Sequence, residues 1–349
     1  MNPAGAALVE TPLVANDRVT RGEWDAFVTH APDASFCHLW GWREVIGGVM
    51  GHEPVFSAAW GGDGSLRAVL PVYRLRSPVF GSHLVSVPFM NYGGAVGDAP
   101  ARALLTSRAL EDARRAGDDS LLLRTRAEVP GFPVSSTKVT VVLPLAESAD
   151  EMWNKRFDAK FRNKIKRPQR DGMETRFGVE HLDAFYDVLA HNMRDLGTPI
   201  LPREFFTRII AEFPGMVLVG ATYWNGRPVA AGFGFMWRDE FEMTWSSSLK
   251  EARAAKPNML LYWDYMRELI GRGIRRFNFG RSTPGSGTHE FKLSWGGRDE
   301  PLPWVQWPDG QGGAGDSRVA TLAAAVWRRL PLAVTNSLGP TLARQLPWW

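Results

Sequence analysis

The chain has 349 residues, 44% hydrophobic and 22% charged, with a net charge of +4. That is the balance of a soluble globular protein of about two domains. A single cysteine, Cys37, excludes an internal disulfide and a multi-cysteine zinc site, and no run approaches the ~20 apolar residues of a membrane span.

The N-terminal stretch MNPAGAALVETPLVANDRV lacks a basic n-region and a sustained apolar core. Neither signal peptide nor anchor is expected, and a cytoplasmic protein is the default. Gly22–His30 and His38–Val49 read as helices, and Val55–Trp60 and Leu66–Leu75 as strands joined by a GGDGS turn. Leu104–Ala116 has helical apolar spacing, and Ser120–Arg124 and Lys138–Leu143 read as strands.

Asn154–Arg170 concentrates eight basic residues against one acid. Across it Phe157, Phe161 and Ile165 recur every four residues, an apolar helical stripe, so Glu151–Pro168 is expected to be a helix that Pro168 ends. Val217–Trp224 and Pro228–Met236 read as strands joined by Asn225-Gly226, a strong hairpin signal. Glu240–Leu249 and Ile274–Phe279 are further strands, with a helix starting near Pro257-Asn258 between them.

The second half repeats the plan of the first. FSAAWGGDGSLRAVLPVYRL (56–75) and LVGATYWNGRPVAAGFGFMW (218–237) both set Trp before a glycine turn and Ala-rich strands after it. LEDARRAGDDSLLLR (110–124) and RELIGRGIRRFNFG (267–280) are each a helix end, a Gly and a strand. Nearly equal offsets argue for one fold used twice. The expected division is 1–147, 148–310, and a linker with a helical tail at 311–349. The tail's apolar pattern (Leu322, Val326, Leu330) suits either a core edge or a membrane surface, and its small basic content favours the core edge.

The stretch FGRSTPGSGTHEFKLSWGG (279–297) leaves the C-terminal end of a strand, where sites in α/β folds gather. Gly280 and Gly285 have P-loop spacing, but Ser286 stands where Lys is required, so that route to nucleotide binding is excluded. Arg281 and Lys292 bring positive charge and Ser282 a hydroxyl. The same residues also suit a solvated connection.

RRFNFGRSTPGSGTHEFKLSWGG resembles the C-terminal signature of FemAB-like proteins of the GNAT superfamily: a strand with an acidic or amide residue, a glycine loop, then Phe-Lys-x-x-Trp-Gly-Gly. RFDAKFRNKIKRPQRDGMETRFG (156–178) resembles that family's basic helix. NMRDLGTPILPREFF (192–206) and AAKPNMLLYWDYMRELIGRGIRRFNFG (254–280) are similar to the branch associated with exosortase and PEP-CTERM exopolysaccharide clusters.

The resemblance implies an α/β (α+β) chain of two tandem GNAT-like acyltransferase domains, each a mixed sheet flanked by helices. It implies transfer of an acyl or aminoacyl group to an amine of an envelope or exopolysaccharide precursor. Acyl-CoA or aminoacyl-tRNA would be the co-substrate, with no tightly bound cofactor or metal, in the cytoplasm or at the inner-membrane face. Glu242, Asp264, His289 and Glu290 are the candidate bases, and Lys292 joins Glu242 and His289 as a candidate catalytic residue. Lys160, Arg162, Asn163, Lys164 and Lys166 would hold a diphosphate or a tRNA backbone, or else form a solvated face. Arg194, Trp245, Arg281 and Ser282 are further substrate-binding candidates.

For the donor phosphates the candidates are Arg253, Lys256 and Asn258. They depart from the coenzyme A loop of GNAT enzymes, [Gln/Arg]-x-x-Gly-x-[Gly/Ala], at both glycine-type positions, which weakens that donor. The competing function is a catalytically silent GNAT-like scaffold that binds RNA or a polysaccharide-assembly partner. Sequence-specific DNA binding is not expected, because no recognition-helix motif is present.

Overall fold

The computed structural model describes residues 14–134, 138–308 and 318–346. The linker expected at DGQGGAGDS (309–317) lies outside them. The first sheet runs β1 (Val14–Asn16), β2 (Glu53–Trp60), β3 (Leu66–Ser77), β4 (Gly81–Ser86), β6 (Ser120–Leu123) and β14 (Val305–Trp307), with β5 (Val96–Gly97) on β3. The second runs β13 (Arg298–Pro301), β7 (Val139–Pro144), β12 (Arg276–Ser282), β11 (Glu240–Ser248), β10 (Arg227–Trp237), β9 (Val217–Trp224) and β8 (Glu174–Phe177).

Each sheet has seven strands and one parallel pair, β4 with β6 and β11 with β12. The duplication is therefore visible strand by strand, with Trp60 and Trp224 both closing the second strand of their set. Helices α2 (Ala99–Ala116) and α7 (Pro257–Gly271) connect the parallel strands. Each connection turns at a left-handed glycine, Gly117 at φ 72° and Gly273 at φ 82°. The halves exchange an edge: β7 joins the second sheet beside β12, and β14 returns to the first beside β6. The division expected at 147/148 therefore does not follow the sheets.

Phenylalanine packing joins the halves. From short helical turns after α1 (Arg21–His30), Phe36 stacks on Phe235 of β10 at 4.2 Å and Trp42 packs tilted against it at 5.7 Å. Burying such rings supplies the non-directional drive that holds the two sheets as one core. On the second sheet α5 (Leu182–Leu196) and α6 (Arg203–Glu212) lie near the centre, with Phe185 and Phe206 against Phe233. Gly197, at φ 80°, ends α5.

The basic segment departs from expectation. It is two pieces, α3 (Ala149–Glu151) running on to Arg156, then α4 (Ala159–Arg170) started by Asp158, whose side chain accepts from Phe161 N–H at 2.6 Å. Pro168 does not end α4. It sits in the last turn, and its carbonyl accepts from Met173 N–H at 2.9 Å. Phe161 and Ile165 bury the expected stripe against the cluster that includes α7. The tail forms α9 (Arg318–Trp327) and α10 (Leu332–Ala343), which packs on α5.

Candidate active site

Strands β11 and β12 are ladder partners only at Glu240, Phe241 and Glu242, opposite Arg276, Phe277 and Asn278. Beyond Glu242 they part. β12 keeps β7 on its other edge from Arg276 to Ser282 but loses β11, so the β12-facing edge of Met243–Ser248 has no ladder partner among the described residues. A cavity of about 510 Å³ fills the gap, with Met243–Ser246 on one wall and Phe279–Arg281 on the other. Its floor is apolar at Leu189, Met193 and Ile200, and Tyr262, Phe279 and Phe291 pack together at its far side. α8 (Gly287–Leu293) closes one flank with Thr288 and Lys292.

Asn278 is the hub under this gap. Fully buried, it accepts from Thr140 Oγ1 (2.6 Å) and from Gly280 N–H (2.8 Å), and donates to Tyr92 (2.9 Å) and Glu240 (2.9 Å). All its hydrogen-bonding capacity is used, so one amide ties β12 to β7, β11 and the loop 87–94 of the first half. Gly280 turns the chain away at φ 73°, and a Cβ there would lie 3.2 Å from Met243 O and from Asn91.

Glu242 is 2% exposed and sits one residue behind the cavity wall. Its Oε1 accepts from Asn91 Nδ2 at 2.7 Å and from Thr244 Oγ1 at 3.4 Å, and both partners line the cavity. Oε2 is buried with no partner. Burial pushes the carboxyl up to about 7, against the lowering effect of the Asn91 hydrogen bond. A buried acid poised near neutrality next to a cavity is the arrangement expected of a general base.

Lys292 lines the cavity, but its Nζ donates to the carbonyls of Gly280 (2.8 Å) and Arg281 (2.9 Å). It holds the end of β12 in place, and burial lowers it to about 8. Arg281 lines the cavity with its guanidinium 5.4 Å from the Trp304 ring. Trp245 lies on the wall, packed on Phe206 at 5.1 Å.

Among the donor candidates, Asn258 reaches the cavity and leaves Oδ1 buried without a partner. Lys256 caps α7 at φ 60°, the left-handed conformation a glycine would give at this point of the loop. The backbone turn thus survives the missing glycine. Arg253 instead donates to Asn192 at 3.2 Å and is not on the cavity wall.

Several expected residues are elsewhere. His289 is not on the wall: its Nδ1 accepts from Gly285 N–H (3.1 Å), which leaves Nε2–H to donate to Asp299 (2.9 Å). It pins the glycine loop to β13. Ser282, a buried strand-end residue, is likewise off the wall. Arg194 pairs with its neighbour Asp195 at 2.9 Å on the last turn of α5. Asp264 pairs with Arg267 at 3.1 Å, and Glu290 is exposed.

The basic helix does not enter the cavity either. α4 packs on α7, leaving Lys160, Asn163 and Lys166 exposed. Arg162 closes the preceding turn by donating to Trp153 O at 3.2 Å, and Lys164 lies over the Phe161 ring at 5.6 Å. These side chains serve the helix junction or face solvent.

Sequence reasoning missed Asn91, Thr244 and the role of Tyr92. Asn91 belongs to Pro88-Phe-Met-Asn-Tyr-Gly-Gly94, a loop whose Val87 and Phe89 have φ 33° and 74°. The polar pair and double glycine were the available signal, and strain of this kind clusters at functional sites.

Residues 155–293, which supply all of the cavity's lining but Phe89 and Asn91, match the acetyltransferase (GNAT) domain family. No curated protein matches the chain in sequence. FemX superposes with a TM-score of 0.63 at 15% identity, over 85% of this chain and 97% of FemX. The C-terminal domain of a putative lysylphosphatidylglycerol synthetase from Agrobacterium fabrum gives 0.56 at 14%, over 88% and 95%. A tandem GNAT protein from the clavulanic acid biosynthesis pathway gives 0.51 at 13%, over 85% and 98%. At these identities the likeness is one of fold. Residues 155–293 are thus similar to the acetyltransferase (GNAT) domain family, and the fold of the whole chain is like that of FemX and of the tandem GNAT protein.

Proposed function

We propose that this chain transfers an acyl or aminoacyl group from a phosphate-bearing carrier to an amine of a cell-envelope or exopolysaccharide precursor. The cleft between β11 and β12 carries this reading, because it offers an unpaired strand edge, a poised carboxyl and a cationic wall together. An extended donor arm adds to that edge as a further strand, with the acyl carbonyl among the backbone groups of Met243–Ser246. The carrier's phosphates lie toward Lys256 and the start of α7.

The acceptor amine attacks the carbonyl carbon. A C–N bond forms, and the carrier's C–S or C–O bond breaks. The amine's surplus proton passes to Thr244 Oγ while the Thr244 hydroxyl proton moves to Glu242, 3.4 Å away. Glu242 returns that proton through Thr244 to the leaving sulfur or oxygen, which restores the carboxylate. Arg281 on the wall balances negative charge at the reacting centre.

The aminoacyl option draws support from the neighbour named as a lysylphosphatidylglycerol synthetase. The exopolysaccharide acceptor draws on the exosortase-branch resemblance of residues 192–206 and 254–280. Both options place the reaction in the cytoplasm or at the inner-membrane face. Two observations favour a silent scaffold: Asn91 and Thr244 stand between Glu242 and the cavity, and Lys292 is committed to backbone carbonyls.

The test is to measure donor binding and transfer in the wild type and in Glu242→Gln, offering acetyl-CoA and aminoacyl-tRNA separately. Retained binding with lost transfer supports the reaction. Folded protein that binds neither donor leaves the scaffold in its place.

A further inference from the structure

We infer that the outer face of the two tail helices docks on an anionic phospholipid surface. Among the described residues eleven large hydrophobics are exposed, and six of them cluster here: Leu196, Leu322, Val326, Val334, Leu338 and Leu342. On α9, Leu322 and Val326 are four residues apart and are 67% and 54% exposed. On α10, Val334, Leu338 and Leu342 repeat the spacing, so each helix presents one apolar stripe.

The stripes share one region. Gly197, beside Leu196, abuts Ala324 of α9, and Arg328 donates to Leu196 O at 3.1 Å. The inward side is already used: Thr335, Gly339 and Ala343 are buried, and Gly339 lies against Ile200 of the cavity floor. α10 thus covers a core edge with these residues, whereas Leu322 and Val326, the pattern expected to do so, are exposed and leave an apolar face bare.

Charge selects the occupant. Residues 318–346 contain four arginines and no acidic residue. Arg328, Arg329 and Arg344 are exposed at the ends of these helices, Arg328 and Arg344 each also donating one N–H to a backbone carbonyl, Leu196 O and Val49 O (3.0 Å). Two apolar stripes on helices whose only charged side chains are arginines match a bilayer whose headgroups are anionic, since the aliphatic chains enter the acyl boundary while guanidiniums meet phosphate. A second copy would set these arginines against themselves across a two-fold axis. At 10 and 12 residues the helices are too short to cross, and no described helix meets that requirement, so the contact is with the surface. This inference does not depend on the transfer reaction.

The experiment is flotation of the full chain with vesicles containing phosphatidylglycerol and, separately, with vesicles of phosphatidylcholine alone. The wild type is expected to float with the anionic vesicles and to be released by high salt. Leu322→Gln combined with Leu338→Gln, both at exposed positions, should lower the bound fraction about ten-fold. Arg329→Glu should weaken binding to anionic vesicles while leaving the circular dichroism spectrum unchanged. Wild type that ignores both vesicles, or a double variant that floats as well as wild type, overturns the inference. So does a dimeric wild type that the double variant converts to monomer, because that assigns the face to a second copy.

Discussion

Asn91 of the first half donates to Glu242 of the second at 2.7 Å, across the seam between the two sheets. The GNAT match begins at residue 155, so the carboxyl proposed as the base is held from outside the matched residues. The hydrogen bond favours the ionised carboxylate and opposes the upward push of burial. Asn91→Ala should therefore move the rising limb of a kcat/KM–pH profile to higher pH. Activity below neutrality should fall about ten-fold, with less change at high pH. A structural role alone would lower activity at every pH equally.

Glu242→Gln should cut kcat by about two to four orders of magnitude while donor affinity changes little. Transfer assays on the two proteins, read beside donor titrations, check this.

The same carboxyl makes stability depend on pH with a definite sign. Its folded pKa is raised from 4.5 to about 7, so the folded chain binds more protons than the unfolded chain between those values. Stability is full below pH 4.5 and falls as pH rises through 7, by about 3 kcal/mol from this group. Lys292 acts in the opposite sense higher up. Its folded pKa is lowered from 10.5 to about 8, so its cost fades as pH rises between those values. Urea denaturation of Glu242→Gln against wild type should show little difference at pH 4 and a more stable variant at pH 8.

How much of this was legible follows from how each feature is encoded. Strands such as Val217–Trp224 and the Asn225-Gly226 turn were readable because their signal is local. The strand expected at Glu240–Leu249 was readable for the same reason and runs from Glu240 to Ser248. The exchange of β7 and β14 was not, because strand period fixes a face but not a neighbour. His289 looked catalytic by position in a signature loop. Its partner Asp299 is only ten residues away, but nothing in the spacing tells that the two meet. The basic helix illustrates a limit of charge counting, since clustering in sequence does not say which way a helix face points.

Lys292→Met should destabilise the protein by about 3 kcal/mol, because two buried carbonyls lose a charged donor. Removing the buried charge offsets part of that below pH 8, so the loss should be larger at pH 10. Denaturant titration at both pH values checks it. Lys160→Ala and Lys166→Ala, at exposed positions of α4, should change stability by no more than about 0.5 kcal/mol.

The most direct test is hydrogen–deuterium exchange of the full chain with and without each donor, acetyl-CoA and aminoacyl-tRNA. A donor arm lying along the open edge of β11 should slow exchange across Met243–Ser248 and at the start of α7, near Pro257–Leu260. Saturable donor binding that leaves both segments unprotected would contradict the cleft assignment.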